Sequence, residues 1–301
     1  MNKINYYHSL IFFNFCILLS AFEFLRNNNL LILCLFLILS LGISHGALDH
    51  IKGKKILKIL NYKSTSTFYI LYICIGASII LLWLLFSSIL LLIFLLVASY
   101  HFGKEDSEFI NDKSNSDLIY FFKGSLIITA PLLFHKTKTL DIFINLNFDI
   151  SQSLFISNEF LYIFIVISFF ANVIISLNKQ LDIKSLLLMD FLSILLLNYF
   201  LNPILAFTIY FCFLHSIRHS FKLSNELNKK NFIKGFKEFL IKAIPLTILT
   251  AVLFLISLFF LNKYYFLDNA ISKVIFIGLA SLTFPHILLE YFLEKNETQR
   301  N

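Results

Sequence analysis

The sequence predicts an all-α fold: a polytopic bundle of about ten transmembrane helices, with eight or nine as alternative counts. Three observations predict it. The 301-residue chain is 58% hydrophobic and 17% aromatic but only 14% charged. Its mean hydropathy of +0.80 is far above what a water-soluble domain needs. Its apolar residues are gathered into runs close to the roughly 20 residues that cross a bilayer as a helix.

The first run, 8–25, follows a lysine and lacks a small-x-small cleavage site, so it is expected to remain as a helix and not to be removed as a signal peptide. The second, 30–48, ends where a lysine-rich stretch begins. Runs 67–86 and 88–103 are parted only by Phe86-Ser87-Ser88 and are expected to form a tight helical hairpin. Runs 118–135 and 158–178 follow. The run 185–201 stops at Asn202-Pro203, because proline ends a helix and asparagine favours a turn, and 203–221 restarts beyond it. Runs 241–262 and 270–292 complete the set. No polar stretch is long enough to fold separately and no internal repeat is visible. Residues 1–301 are therefore expected to form one integral membrane domain, with 1–29 an extra N-terminal helix and 30–293 the motif-bearing bundle.

The net charge of +7 is carried largely by lysines between the runs. In a membrane protein this marks cytosolic loops and does not indicate nucleic-acid binding. Segment 51–63 holds Lys52, Lys54, Lys55, Lys58 and Lys63; segment 218–242 holds Arg218, Lys222, Lys229, Lys230, Lys234, Lys237 and Lys242. Ten helices put both segments on one side, which is an internal check on the count. That side is expected to be the cytosol, with both termini there and the chain in the inner membrane. Cys16, Cys34, Cys74 and Cys212 lie inside apolar runs without a CxxC, so neither a disulfide nor a thiolate metal site is expected.

This topology brings the histidines to one depth. His45 and His50 lie at the cytosolic end of the second helix, His101 at that of the fourth, and His215 and His219 in the last turns of the eighth; His286 lies in the cytosolic half of the tenth. Imidazole is costly to place in lipid, so several at one depth point to a metal centre. His215 and His219 are i, i+4 and share a helix face, so both can reach one ion. His45 and Asp49 share the same spacing, whereas His50 is turned about 100° away. A bound imidazole hands its second N–H to a carboxylate or carbonyl, and Asp49, Asp106 and Asp190 are candidates for that task. Asp190 lies within an apolar run and needs a partner. His286, followed by Glu290 at i+4, is divided between a pocket role and helix packing. His8 and His135, at opposite ends of their helices, read as interfacial anchors outside the ligand set.

An imidazole set suits Zn, Cu, Fe or Ni. There is no HExxH, too few histidines for the HxxxH and HxxHH clusters of membrane di-iron desaturases, and no paired spacing for transported haem. Four zinc ligands would close a tetrahedron, whereas octahedral Fe(II) would keep two positions open. A chain with 37 Phe and 13 Tyr also suits a lipid-soluble substrate, although aromatic residues fill membrane cores in any case.

The motifs Gly42-Ile43-Ser44-His45-Gly46-Ala47-Leu48-Asp49, Tyr100-His101-Phe102-Gly103 with Asp106, Tyr210 to His219 (YFCFLHSIRH) and Pro285-His286-Ile287-Leu288 resemble, in order and spacing over about 38–292, the Brp/Blh family of bacterial and archaeal β-carotene 15,15′-dioxygenases. Ser44 stands where that family more often has proline. The resemblance implies O₂-dependent cleavage of the central double bond of β-carotene to two retinal molecules. It implies Fe(II) held by His45, His101, His215 and His219, with His286 as a neighbour of the site; Asp49, Asp106, Asp190 and Glu290 are expected around the ligands or the substrate from their positions alone. It also implies a lipid-bilayer setting and, by functional association alone, a microbial rhodopsin as retinal acceptor. The competing classes are a membrane transporter with histidines in its path, and a haem-binding carrier, which a Soret band would reveal.

Overall fold

A computed structural model of the chain describes residues 2–59, 66–110, 116–149 and 157–298. Among the described residues, ten helices are long and apolar enough to cross a membrane: α1 (Lys3–Ala21), α2 (Leu31–Ile59), α3 (Ser66–Leu85), α4 (Ser87–Ile110), α5 (Asp117–Phe134), α6 (Asn158–Ser176), α7 (Leu181–Phe200), α8 (Pro203–Leu227), α9 (Phe232–Leu261) and α10 (Leu267–Asn296). They fall on the ten apolar runs in order, so the polytopic all-α bundle expected from the sequence is the architecture observed.

Local chemistry sets the breaks. The Asn202 side chain accepts from the Leu205 N–H at 3.1 Å, and Pro203 opens α8, where its missing donor costs nothing. Ser157 caps α6 through the Phe160 N–H, and Asn231 caps α9 through that of Lys234. Phe86 alone leaves helical geometry between α3 and α4, which makes the tight hairpin. A shorter helix, Lys136–Asn145, links α5 towards α6.

α8 is the most enclosed helix, and α3 and α9 are the most lipid-facing. The core runs between α2, α4, α5, α7, α8 and α10, where Leu91, Leu126, Leu197, Cys212, Leu214 and Ile275 are buried. α1 packs along α7 and buries Ser9, Phe12 and Cys16. The helix expected as an N-terminal extra is thus built into the bundle.

Two helices depart from α geometry at one level. In α2, residues Ile38–Gly42 form a π-helical turn and Ile43–Leu48 a 3₁₀ turn; in α8, Tyr210–Ser216 are π-helical. Such turns rotate the following side chains and free backbone carbonyls, and they concentrate at functional sites. The two irregular turns are tied together by Ser216 Oγ, which donates to the Gly42 carbonyl at 3.0 Å.

α4 and α5 approach backbone to backbone. A Cβ at Gly103 would stand 1.8 Å from the Tyr120 carbonyl oxygen, and one at Gly124 would stand 1.9 Å from that of Ser99. Glycine is required by this close crossing, not by a turn. Gly124→Ala is expected to push the helices apart, at a cost of about 1–3 kcal/mol or more. Thermal unfolding in detergent is the measurement, and an unchanged midpoint would contradict the close crossing.

Candidate metal centre

The site is assembled from α4, α8 and α10, with α2 against it. From α4 come His101, Glu105 and Asp106; from α8, His215 and His219; from α10, His286 and Glu290; from α2, Asp49. All four imidazoles are buried, with 5% exposure or less. Ring centroids of His101 lie 5.6 Å from His215 and 5.4 Å from His286, and those of His219 and His286 lie 5.9 Å apart. Of the four histidines expected at one depth, the rings of His101, His215 and His219 come together, and His286, which the sequence left between a pocket role and helix packing, lies beside them. The His45 side chain lies outside the described residues; its backbone sits in the 3₁₀ turn of α2.

Glu105 stands among these rings. Its Oε2 is 3.1 Å from His219 Nδ1, 3.6 Å from His215 Nε2 and 3.7 Å from His101 Nε2, and its Oε1 is 3.6 Å from His286 Nε2. Two ligands bonded at roughly 2.1 Å to one ion stand about 3.0 Å apart across an octahedral edge and about 3.4 Å across a tetrahedral edge. The observed separations are close to that range. The donor atoms of His101, Glu105 and His286 fall within 4.8 Å of one another. Glu105 Oε2 is buried, and His219 Nδ1 at 3.1 Å is the imidazole nitrogen nearest to it. A buried carboxylate facing several imidazole nitrogens is satisfied by hydrogen bonds from the rings or by a shared cation, and a set of donors this close could hold one. This nitrogen-rich set with one carboxylate fits a divalent first-row metal.

Around the donors, carboxylates orient the rings. Asp106 Oδ1 accepts from His215 Nδ1 at 3.0 Å, while its Oδ2 accepts from the Tyr210 hydroxyl at 2.6 Å. Both Asp49 oxygens lie 2.9 Å from His286 Nδ1, and Oδ2 also accepts from Tyr72 at 2.8 Å. Each carboxylate fixes the proton on Nδ1 and so aims the Nε2 lone pair of its ring at the centre. Apolar rings enclose His215: Phe102 meets it edge-on at 4.7 Å and Phe211 stacks on it at 5.7 Å.

The other candidates have different partners. Asp190 reaches Arg218, which donates to its two oxygens at 2.7 and 3.1 Å. That ion pair answers the need of an acid within an apolar run, and it replaces the expected contact with an imidazole. Lys123 is buried nearby, beside an enclosed space of about 20 Å³ shared with Asp106 and Asp190, roughly room for one water. Glu290 pairs with Lys52 and lies near Asp49 and His286. His50 Nδ1 contacts the Ala47 carbonyl at 3.0 Å, a local helix contact consistent with its different face. His135 is half-buried at the far end of α5.

Sequence reasoning missed Glu105, although the signal was available. It stands i+4 from His101, the same spacing that paired His215 with His219. Arg218 was counted only as a loop charge, although it lies between those two histidines and faces inward. Tyr72 and Tyr210 carried no local signal, because only the packing of α3 on α2 and of α8 on α4 brings their hydroxyls to Asp49 and Asp106.

A family model described as Beta-carotene 15,15'-dioxygenase matches residues 36–294. A curated Beta-carotene 15,15'-dioxygenase from Uncultured marine bacterium 66A03 is 28% identical over 274 residues, covering 88% of this chain and 94% of that protein. No solved structure matches the chain.

Proposed function

This chain belongs to the beta-carotene 15,15'-dioxygenase family, and from that membership we propose that it cleaves the central double bond of β-carotene with O₂ to give two molecules of retinal. The observation that carries the reading is the family match across the whole site-bearing bundle, together with four buried imidazoles and a carboxylate from three separate helices around one point. The reaction balances on its own. The C=C and O–O bonds break, two C=O bonds form, and no proton or outside electron is consumed. Its carboxylates are accordingly needed to hold rings and balance charge, not to shuttle protons.

The metal is iron(II), held by His45, His101, His215 and His219, with Glu105 and His286 in the same cluster. When bound, iron would supply the activation of O₂ that the polyene alone does not provide. Four neutral imidazoles would leave a divalent ion its full charge in a low-dielectric interior, and Glu105 offsets half of it. Asp106 and Asp49 keep His215 and His286 in one tautomer and one orientation. Phe102 and Phe211 exclude water and offer flat apolar surfaces to a polyene.

The substrate enters from the bilayer. An apolar cleft of about 360 Å³ lies between α2, α3 and α10, lined in part by Leu57, Phe68, Ile75, Pro285, Leu289 and Phe292. Tyr72, the Asp49 partner, also lines it, so the cleft borders the outer partners of the cluster. The lysine-rich segments flank the site-bearing end, which supports a cytosolic placement of that end and of both termini in an inner membrane. Retinal leaves into the lipid, where a microbial rhodopsin is a fitting acceptor. A transporter gains no support: the ionisable groups of the histidine cluster are engaged with one another at one end of the bundle, and the sequence shows no repeat.

Expression in a β-carotene-producing bacterium tests the reading. The expected result is loss of orange colour with retinal appearing by chromatography. Folded, iron-supplied protein that leaves β-carotene intact would overturn it.

A further inference from the structure

The family match begins at residue 36, so α1 lies outside it. Yet α1 touches the back of the metal centre at two adjacent residues. His8 donates Nε2–H to the Phe213 carbonyl at 2.8 Å, inside the π-helical turn that leads to His215. A π turn shifts the backbone hydrogen-bond register by one residue and leaves carbonyls in want of donors. Here the donor arrives from another helix. The His8 ring also packs edge-on against Phe221, at 5.4 Å, one turn beyond Ile217. Ser9, fully buried, accepts from Arg218 Nη2 at 2.7 Å. Through Nη1, the same guanidinium reaches the Asp106 backbone carbonyl at 3.3 Å, while both nitrogens hold Asp190. Arg218 is the neighbour of His219, and Asp106 is the partner of His215. Anchoring His8 at the lipid–water boundary, the role its position in the sequence suggested, gives way to this contact.

We propose that α1 is a positioning element of the metal centre: His8 pins the π turn 210–216 and Ser9 pins Arg218, so that His215 and His219 are held facing the donor cluster. The inference rests on the metal reading given above, but the residues it names touch neither metal nor substrate. His8 acts through the Phe213 carbonyl and Ser9 through the Arg218–Asp106–Asp190 group. Loss of either contact frees the ligand-bearing turn to relax, and changes of that kind in the supports of metal ligands weaken metal binding by roughly 10–100-fold.

The test uses the full-length chain in detergent, titrated anaerobically with ferrous iron against a chelator of known affinity. Cobalt(II) absorption gives a second readout, of ligand geometry. His8→Phe keeps the ring packed on Phe221 but removes the donor, and Ser9→Ala removes the acceptor; both are small enough to spare folding. The expected result is about tenfold weaker iron binding for each, with an altered cobalt spectrum. Ser9→Thr and His8→Gln, which keep an acceptor and a donor, should restore both. Variants that lose thermal stability while binding iron with wild-type affinity and spectrum would overturn the proposal and leave α1 a packing helix only. Wild-type chain that binds no iron or cobalt would instead overturn the metal reading, and this inference with it.

Discussion

Alanine at His215 or His219 is expected to abolish carotene cleavage and to remove bound iron from the purified chain. His45→Ala and His101→Ala should do the same. On the proposed metal reading, removing one imidazole would take away a ligand and leave its neighbours to share a buried, incompletely neutralised ion. Even partners of ligands are worth roughly 10–100-fold in affinity, so loss of a ligand should exceed about 100-fold. A readout independent of turnover follows from linkage. A metal present at 100 times its dissociation constant stabilises the folded state by about 2.7 kcal/mol. Ferrous iron should therefore raise the thermal midpoint of the wild-type chain and leave that of His215→Ala unmoved. His135→Ala, at the opposite end of the bundle, should keep both activity and the iron-induced shift. Equal tolerance at His135 and at the cluster would sink the metal assignment.

Glu105 should show effects of opposite sign with and without metal. Without a cation, a buried carboxylate has only its contacts with the surrounding imidazoles to offset its desolvation, and neutralising it relieves that cost. With a cation, the same carboxylate supplies a negative charge among the donors that Asp49 and Asp106, on the far nitrogens of their rings, do not. Glu105→Gln preserves the shape and is expected to fold at least as well as wild type in chelator, yet to bind iron about 10–100-fold more weakly. Glu105→Ala should bind as weakly and also lose packing. Calorimetric or thermal unfolding with and without ferrous iron separates the two states. A Glu105→Gln chain that is less stable in chelator but unchanged in iron affinity would make Glu105 a structural acid and remove it from the cluster.

Most of the bundle was legible in the sequence because a bilayer imposes a simple rule. Backbone polar groups must be satisfied within each crossing segment, so apolar length converts directly into helices. The Asn202-Pro203 break was readable for a local reason, residue types whose backbone preference ends a helix, whereas the break at Phe86 was readable only from the combined length of two apolar runs. The depth of His101, His215, His219 and His286 was readable from helix direction alone. Their mutual distances were not, since depth says nothing about which helices are neighbours. Asp190 shows the limit well: its position demanded a partner, and the choice between an imidazole and Arg218 depended on how α7 meets α8. His8 shows it again, because an imidazole near a helix start has the same sequence signature whether it faces lipid headgroups or the carbonyl of a π turn.

The sequence by itself determined that this chain crosses the membrane about ten times, that most of its histidines lie towards one end of the helices, and, by motif order, the family it resembles. These are properties of segments, fixed by length, hydropathy, spacing and charge bias. Only the tertiary structure decided that Glu105 stands among the imidazoles, that Asp106 and Asp49 are the acids holding rings, and that α1 reaches the helix carrying His215 and His219. Those facts depend on rotation and packing of helices, which π and 3₁₀ turns in α2 and α8 reset locally. Helical periodicity cannot be carried across such turns, so the facing of each side chain beyond them is settled by the neighbours it packs against.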